Sequence, residues 1–183
     1  MKKIIMMAVM AVAAVSANAQ VWVGGEVGFT TSHENGTEGT AKTFAIKPEV
    51  GYSLTDKFDV AIKLGYEYAN SKAVMGVIGN SNAWEINPYV RYKFVKAGNF
   101  FAFVDGGLNY TTTHVQGYDK NLNEFGFAVT PGLAYAVSDK VTLVSHLGEG
   151  LYYKHEWVKD ATRSNDFGFQ LFNGISFGAY YNF

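Results

Sequence analysis

Ser145-His146 places a hydroxyl nucleophile beside an imidazole base. In an extended chain, neighbouring side chains point to opposite faces, so this pair cannot share a proton in a nucleophilic mechanism. The other histidines, His33, His114 and His155, stand in polar stretches that read as loops, and no two histidines have the H-x-x-x-H spacing of a metal pair. The glycine-rich GGEVG, Gly24 to Gly28, lies inside a strand pattern and precedes no helix, so its reading as a phosphate cradle fails on context. The sequence therefore predicts no catalytic residue, no metal site and no cofactor site. What remains is a set of charged residues at alternating positions: Glu26, Lys47, Glu49, Asp59, Lys63, Glu67, Glu85, Arg91, Lys93, Asp105 and Glu124. Such a set can line a selective pore or satisfy itself as a buried polar network.

Those charges ride on eight runs with a period of two. TFAIKPEVGYSL, for example, places Phe44, Ile46, Pro48, Val50, Tyr52 and Leu54 on one face, and FDVAIKLGYEY and WEINPYVRYKF behave alike. Alternation over such lengths is the signal of a strand with two chemically different sides. The connections also alternate between short turns (LTDK, VKAGN, VSDK) and long polar stretches (SHENGTEGTA, NSKAVMGVIGNSNA, TTHVQGYDKNLN, KHEWVKDATRSND). An internal repeat, IKPEVGY, INPYVRY and VTPGLAY, sets Pro48, Pro88 and Pro131 each four residues before a tyrosine. The expected fold is all-β, an eight-stranded antiparallel up-and-down barrel.

Sorting by parity shows which face meets what. Of the charged residues within the runs, all but Glu149 share one face, and most strand glycines accompany them. An eight-stranded barrel is barely wide enough inside for its own side chains, so small residues among the charges mark the interior. The other face is then the one in contact with lipid, where a Lys or Arg costs roughly 2–4 kcal/mol at mid-bilayer. Phe44 and Tyr52, Trp84 and Tyr92, and Phe127 and Tyr135 are spaced to form aromatic belts at the two edges of the apolar band, joined by Tyr181 and Phe183 on the last strand. The soluble counterpart, a carrier barrel with its apolar face inside, leaves the glycine pattern unexplained. With eight strands the lumen is expected to be plugged by side chains, whereas open aqueous channels belong to wider barrels.

The remaining features bound the class. Lys2 and Lys3, the apolar Ile4–Val15 and the small-x-small Ala17-Asn18-Ala19 read as a signal peptide over residues 1–19, leaving 20–183 as one domain. The formal charge of −1 becomes −3 once those lysines are removed, so nothing points to nucleic acid. There is no cysteine, and an exported chain of this kind must hold together without disulfides.

The C-terminal FGAYYNF carries Phe177, Tyr181 and Phe183 at alternate positions and ends on Phe. In this the chain resembles bacterial outer-membrane β-barrel proteins, and its size and strand count are similar to those of the OmpX-like and OmpA-transmembrane-domain group. The resemblance implies an outer-membrane location in a Gram-negative bacterium, recognition of the last strand by the barrel-assembly machinery, outer-membrane lipid as the surrounding partner and a monomer. It departs from full-length OmpA in having nothing after the last strand. The expected role is envelope structure or interaction through the long loops, where KAVMGVIGN and Trp157 are candidate contact points for a surface ligand. A narrow channel and a lipid-modifying enzyme are the alternatives. The three prolines sit on the lipid face, each expected beside a bulge or local widening.

Overall fold

The computed structural model describes residues 21–33, 40–74, 77–117, 119–159, 163–171 and 175–183. The predicted signal peptide, residues 1–19, and the centre of the first long connection lie outside these residues. Ten strands form one antiparallel sheet: β1 (Val21–His33), β2 (Thr40–Ser53), β3 (Phe58–Val74), β4 (Val77–Ala97), β5 (Phe100–Val115), β6 (Leu122–Ala136), β7 (Val141–His146), β8 (Gly150–Val158), β9 (Arg163–Gln170) and β10 (Ser176–Asn182). β7 and β8 pair in succession along β6 and make one stave; β9 and β10 make another. Consecutive staves pair, and β10 pairs with β1 from Trp22↔Asn182 to Val27↔Phe177. The result is a closed eight-stranded barrel, which satisfies backbone groups without leaving an edge. Phe183 completes the seam by donating its N–H to Val21 O at 3.1 Å.

Turn chemistry at one end follows from the sequence. In LTDK and VSDK the hydroxyls of Thr55 and Ser138 accept hydrogen bonds from the backbone two and three residues on, capping each turn locally. In VKAGN the turn passes through Gly98 at φ +61°, a left-handed conformation that glycine adopts at no steric cost. At the other end the strands run further than periodicity suggested. β3 and β4 reach Val74 and Val77, β8 holds Trp157, and His33, His114 and His155 all fall within strands. Polar composition concealed this, because beyond a membrane both faces of a strand meet water and alternation fades. Side chains of 71–79, within the predicted KAVMGVIGN surface, lie outside the described residues.

The prolines have a simple accommodation. In an antiparallel ladder a residue's N–H and C=O both point to the same neighbouring strand, so a proline deprives only one neighbour. Pro48, Pro88 and Pro131 each pair normally with the preceding strand, through Gly25, Ile62 and Val104. Toward the following strand the ladder lapses at each. It resumes in unchanged register from Ile46↔Tyr66 to Glu49↔Lys63 and from Ile86↔Tyr110 to Tyr89↔Gly107. The expected bulge is therefore absent at Pro48 and Pro88. Beside Pro88, the Asn87 side-chain amide donates to Leu108 O at 3.0 Å, the carbonyl that the proline cannot serve. Only at Pro131 does the register shift. There Leu147, Gly148 and Glu149 stand opposite Thr130 and Pro131, with Leu147 N–H donating to Pro131 O at 2.9 Å.

That bulge corrects one reading. Strict alternation puts Glu149 among the lipid-facing residues. In the structure it borders the lumen, its carboxylate 2.7 Å from Lys154 Nζ.

The two faces have inverted polarity. Trp84 is 62% exposed, Phe177 65%, Phe44 49% and Val90 45%, all on the outer surface, while Arg91 is 1% exposed at the centre. An apolar exterior around a charged interior cannot be a water-soluble carrier, because apolar patches of this extent call for lipid or a partner.

Candidate functional site

The lumen is built from inward residues of every stave. Arg91 on β4 is its centre. Nε and Nη2 donate to Asp105 Oδ1 and Oδ2 on β5, both at 2.7 Å, a bidentate pairing that fixes the guanidinium plane. Nη2 also donates to the Tyr180 hydroxyl on β10 at 3.0 Å. The guanidinium carbon lies 3.9 Å from the Phe103 ring centroid and 5.1 Å from that of Tyr180, which itself stacks on Trp22 at 4.3 Å. Trp22, Tyr89, Phe103, Ala134, Val144 and Tyr180 form a buried cluster, and the four rings among them lie around this guanidinium. Glycine makes this possible: a Cβ at Gly132 would overlap the Phe103 ring, and one at Gly51 would overlap Trp22. The sequence had glycine making room for charges, but here it makes room chiefly for rings.

A chain of acids and bases extends from Arg91 toward the long connections. His146 Nε2 is 2.8 Å from Asp105 Oδ2 and its Nδ1 is 3.2 Å from Glu26 Oε1. Glu26 also meets Lys63 Nζ at 2.5 Å and accepts a hydrogen bond from Ser176. Tyr89 donates to Glu49 at 2.6 Å, and Lys47 pairs with Glu85 at 2.6 Å. Toward the short turns Lys93 Nζ lies 2.9 Å from Asp59. All eleven charged residues that the sequence assigned to the interior lie on the inner face, five of them buried (Glu26, Glu49, Asp59, Arg91 and Asp105). Lys47, Lys63, Glu67, Glu85, Lys93 and Glu124 are partly covered.

The belt residues Phe44, Tyr52, Trp84, Tyr92, Phe127, Tyr135, Tyr181 and Phe183 lie on the outer face, as does Phe177. Trp157 stacks with His155 at 5.6 Å on that face, across from Tyr110, and so joins an outer aromatic girdle instead of a free loop.

Sequence reasoning missed His146, Tyr89, Phe103, Tyr180 and Trp22. They share parity with the charges, so the same test applied to aromatics and histidine would have found them. It also could not foresee Glu149.

The arrangement does not assemble a nucleophile. Ser176 Oγ donates to Glu26, while His146 is engaged by carboxylates on both sides, so no imidazole meets the hydroxyl. Ser145 pairs with Phe177 on the outward-facing side of β7, away from this group. Among the described residues there is no cluster suited to a metal ion.

On the loop side of Arg91 the filling stops. A cavity of about 340 Å³ opens there, with Tyr89, Asp105 and His146 at its floor and Lys47, Glu67 and Glu85 on its wall.

A closed eight-stranded barrel with an apolar exterior and an ion-paired interior is the architecture of a β-barrel membrane protein. The chain belongs to the outer membrane protein β-barrel domain family, whose model matches residues 4–183. Membership places it in the bacterial outer membrane. Among solved structures it is similar to Neisserial surface protein A, with 19% identity, a TM-score of 0.57, and coverage of 89% of this chain and 97% of that one. The outer membrane protein OprG of Pseudomonas aeruginosa follows at 15% identity and TM-score 0.55, covering 89% and 94%. E. coli outer membrane protein W shows 17% identity and TM-score 0.50, covering 90% and 98%. At these identities the likeness is one of fold. No curated protein matches the sequence.

Proposed function

We propose that this protein is a sealed barrel that serves envelope structure or surface interaction, with no catalysis and no solute flow through its lumen. The observation that carries this reading is Arg91, 1% exposed and tied to Asp105, Tyr180 and the Phe103 ring across the middle of the barrel. Ions crossing would have to break a buried bidentate pair, and leaving one partner of such a pair uncompensated costs about 3–5 kcal/mol. Export follows from the signal-like residues 1–19, and the short turns and chain ends then face the periplasm while the longer connections face outside. The alternating Phe177, Tyr181 and Phe183 on the terminal strand are the signal for the barrel-assembly machinery. The folded unit is a monomer whose interaction surface is its outer end.

Purified protein in planar bilayers tests the seal. No stable, discrete conductance steps are expected; reproducible unitary steps would establish the narrow-channel reading instead. Cells carrying Phe183→Ala and Tyr181→Ala should accumulate unfolded precursor in the periplasm, read by the loss of the heat-dependent gel shift of folded barrels.

A further inference from the structure

We infer that the cavity above Arg91 is a binding site for a small organic cation, one bearing a primary ammonium or guanidinium group. Its volume of about 340 Å³ lies at the small end of the ~300–1,000 Å³ typical of ligand pockets. The space exists because the wall recedes at Gly28, Ala45, Gly107, Ala128 and Gly148, contributed by five different staves.

The sign of the ligand follows from what its lining leaves unpaired. Both lysines are engaged, Lys47 by Glu85 and Lys63 by Glu26. Asp105 is neutralised by Arg91, and Glu149 by Lys154. Glu67, which also lines the cavity, makes no ion pair among the described residues. The lining thus presents an unpaired carboxylate and no unpaired lysine, so its charge favours a cation over an anion.

A second, buried observation points the same way. Glu49 is only 5% exposed, yet its Oε1 has no hydrogen-bond partner among the described residues and its Oε2 is served by the Tyr89 hydroxyl alone. An uncompensated buried carboxylate is costly. Its register partner across β2 and β3 is Lys63, with Cβ atoms of such opposed residues roughly 5 Å apart. The Lys63 ammonium is at Glu26 instead. His146, also more than nine-tenths buried, lines the same cavity, and its Nδ1 faces Glu26 without hydrogen-bond geometry. A cationic ligand seated between Glu67 and Glu26 takes over the contact with Glu26 and releases Lys63 to Glu49. Binding then relieves the orphaned carboxylate. Below, the ring-packed Arg91 closes the floor, so the site retains its ligand and does not pass it on.

The test uses the full barrel in lipid nanodiscs, titrated with 1,4-diaminobutane and followed by the NMR signals of the Asn87 and Asn109 side-chain amides, which line the cavity. Two probes of the same length, uncharged 1,4-butanediol and anionic succinate, are run beside it. Saturable shifts are expected with the diamine only, weakening as salt screens the contact. Glu67→Gln should bind about tenfold more weakly, the loss of one charge-assisted contact. Glu49→Gln should also weaken binding although it does not line the cavity. Ala128→Leu, which narrows the space from another strand, should abolish saturation; heat-dependent gel mobility verifies that each variant is folded. Equal binding of diol or succinate, or a diamine affinity unchanged in both Glu67→Gln and Ala128→Leu, overturns the inference.

Discussion

Toward the short turns, the lumen is solid: four rings and two small apolar side chains enclose one guanidinium. Toward the long connections the same eight staves stand around open space, and the charges pair along the wall without filling the centre. Both halves obey one parity rule, and both are polar by the count of charged groups. The difference is side-chain size at the inner positions. In the first half glycine is placed opposite a ring, as Gly132 is opposite Phe103 and Gly51 opposite Trp22, so the small residue is filled. In the second half small residues pair with one another across the ladder, Gly28 with Ala45 and Gly107 with Ala128, and space remains between the walls. A barrel of fixed strand number can therefore be plugged or hollow at different depths without any change in backbone.

The contrast predicts unequal sensitivity to substitution. Arg91→Ala should have the largest effect, about 3–5 kcal/mol of lost stability, because it strands Asp105 in a buried site. Urea unfolding of the barrel in lipid vesicles measures it, and Arg91→Met with Asp105→Leu should recover much of the loss, since removing both charges spares the orphan. Gly132→Val should cost about 1–3 kcal/mol by displacing Phe103 from its place over the guanidinium. Asn87→Ala should cost about 1 kcal/mol, for it removes the donor that serves Leu108 O beside Pro88. Faster hydrogen exchange at the β4–β5 ladder around Leu108 would accompany it. The smallest effect should come from Lys47→Met in the hollow half, where the pair with Glu85 retains 30% and 19% side-chain exposure and is worth roughly 0–1 kcal/mol. If Lys47→Met proved as damaging as Arg91→Ala, the distinction between the halves would fail.

The fold was legible because lipid tolerates so little. Charges at alternate positions of strands, such as Lys47 and Glu49 or Arg91 and Lys93, have one place to go in a closed sheet. The aromatic margins Phe44 and Tyr52 follow from the same constraint. The candidate site was only half legible. Parity places Glu26 and Asp105 on the inner face, but nothing local says that His146, on another stave, meets both. Strand ends were misread at the loop side, where Trp157 lies in β8, because the alternation that marks a strand requires two different environments.

From its residues alone this chain determined which side of each strand is charged, and with it the barrel and its membrane, since a period of two leaves no freedom once one side must be apolar. Partner choice was decided in three dimensions. Lys63 reaches Glu26, 37 residues away, in preference to its cross-strand neighbour Glu49, and a bulge beside Pro131 brings Glu149 to the lumen against its parity. The reason is geometric: alternation fixes direction, while curvature, bulges and the sizes of residues on distant staves fix distance.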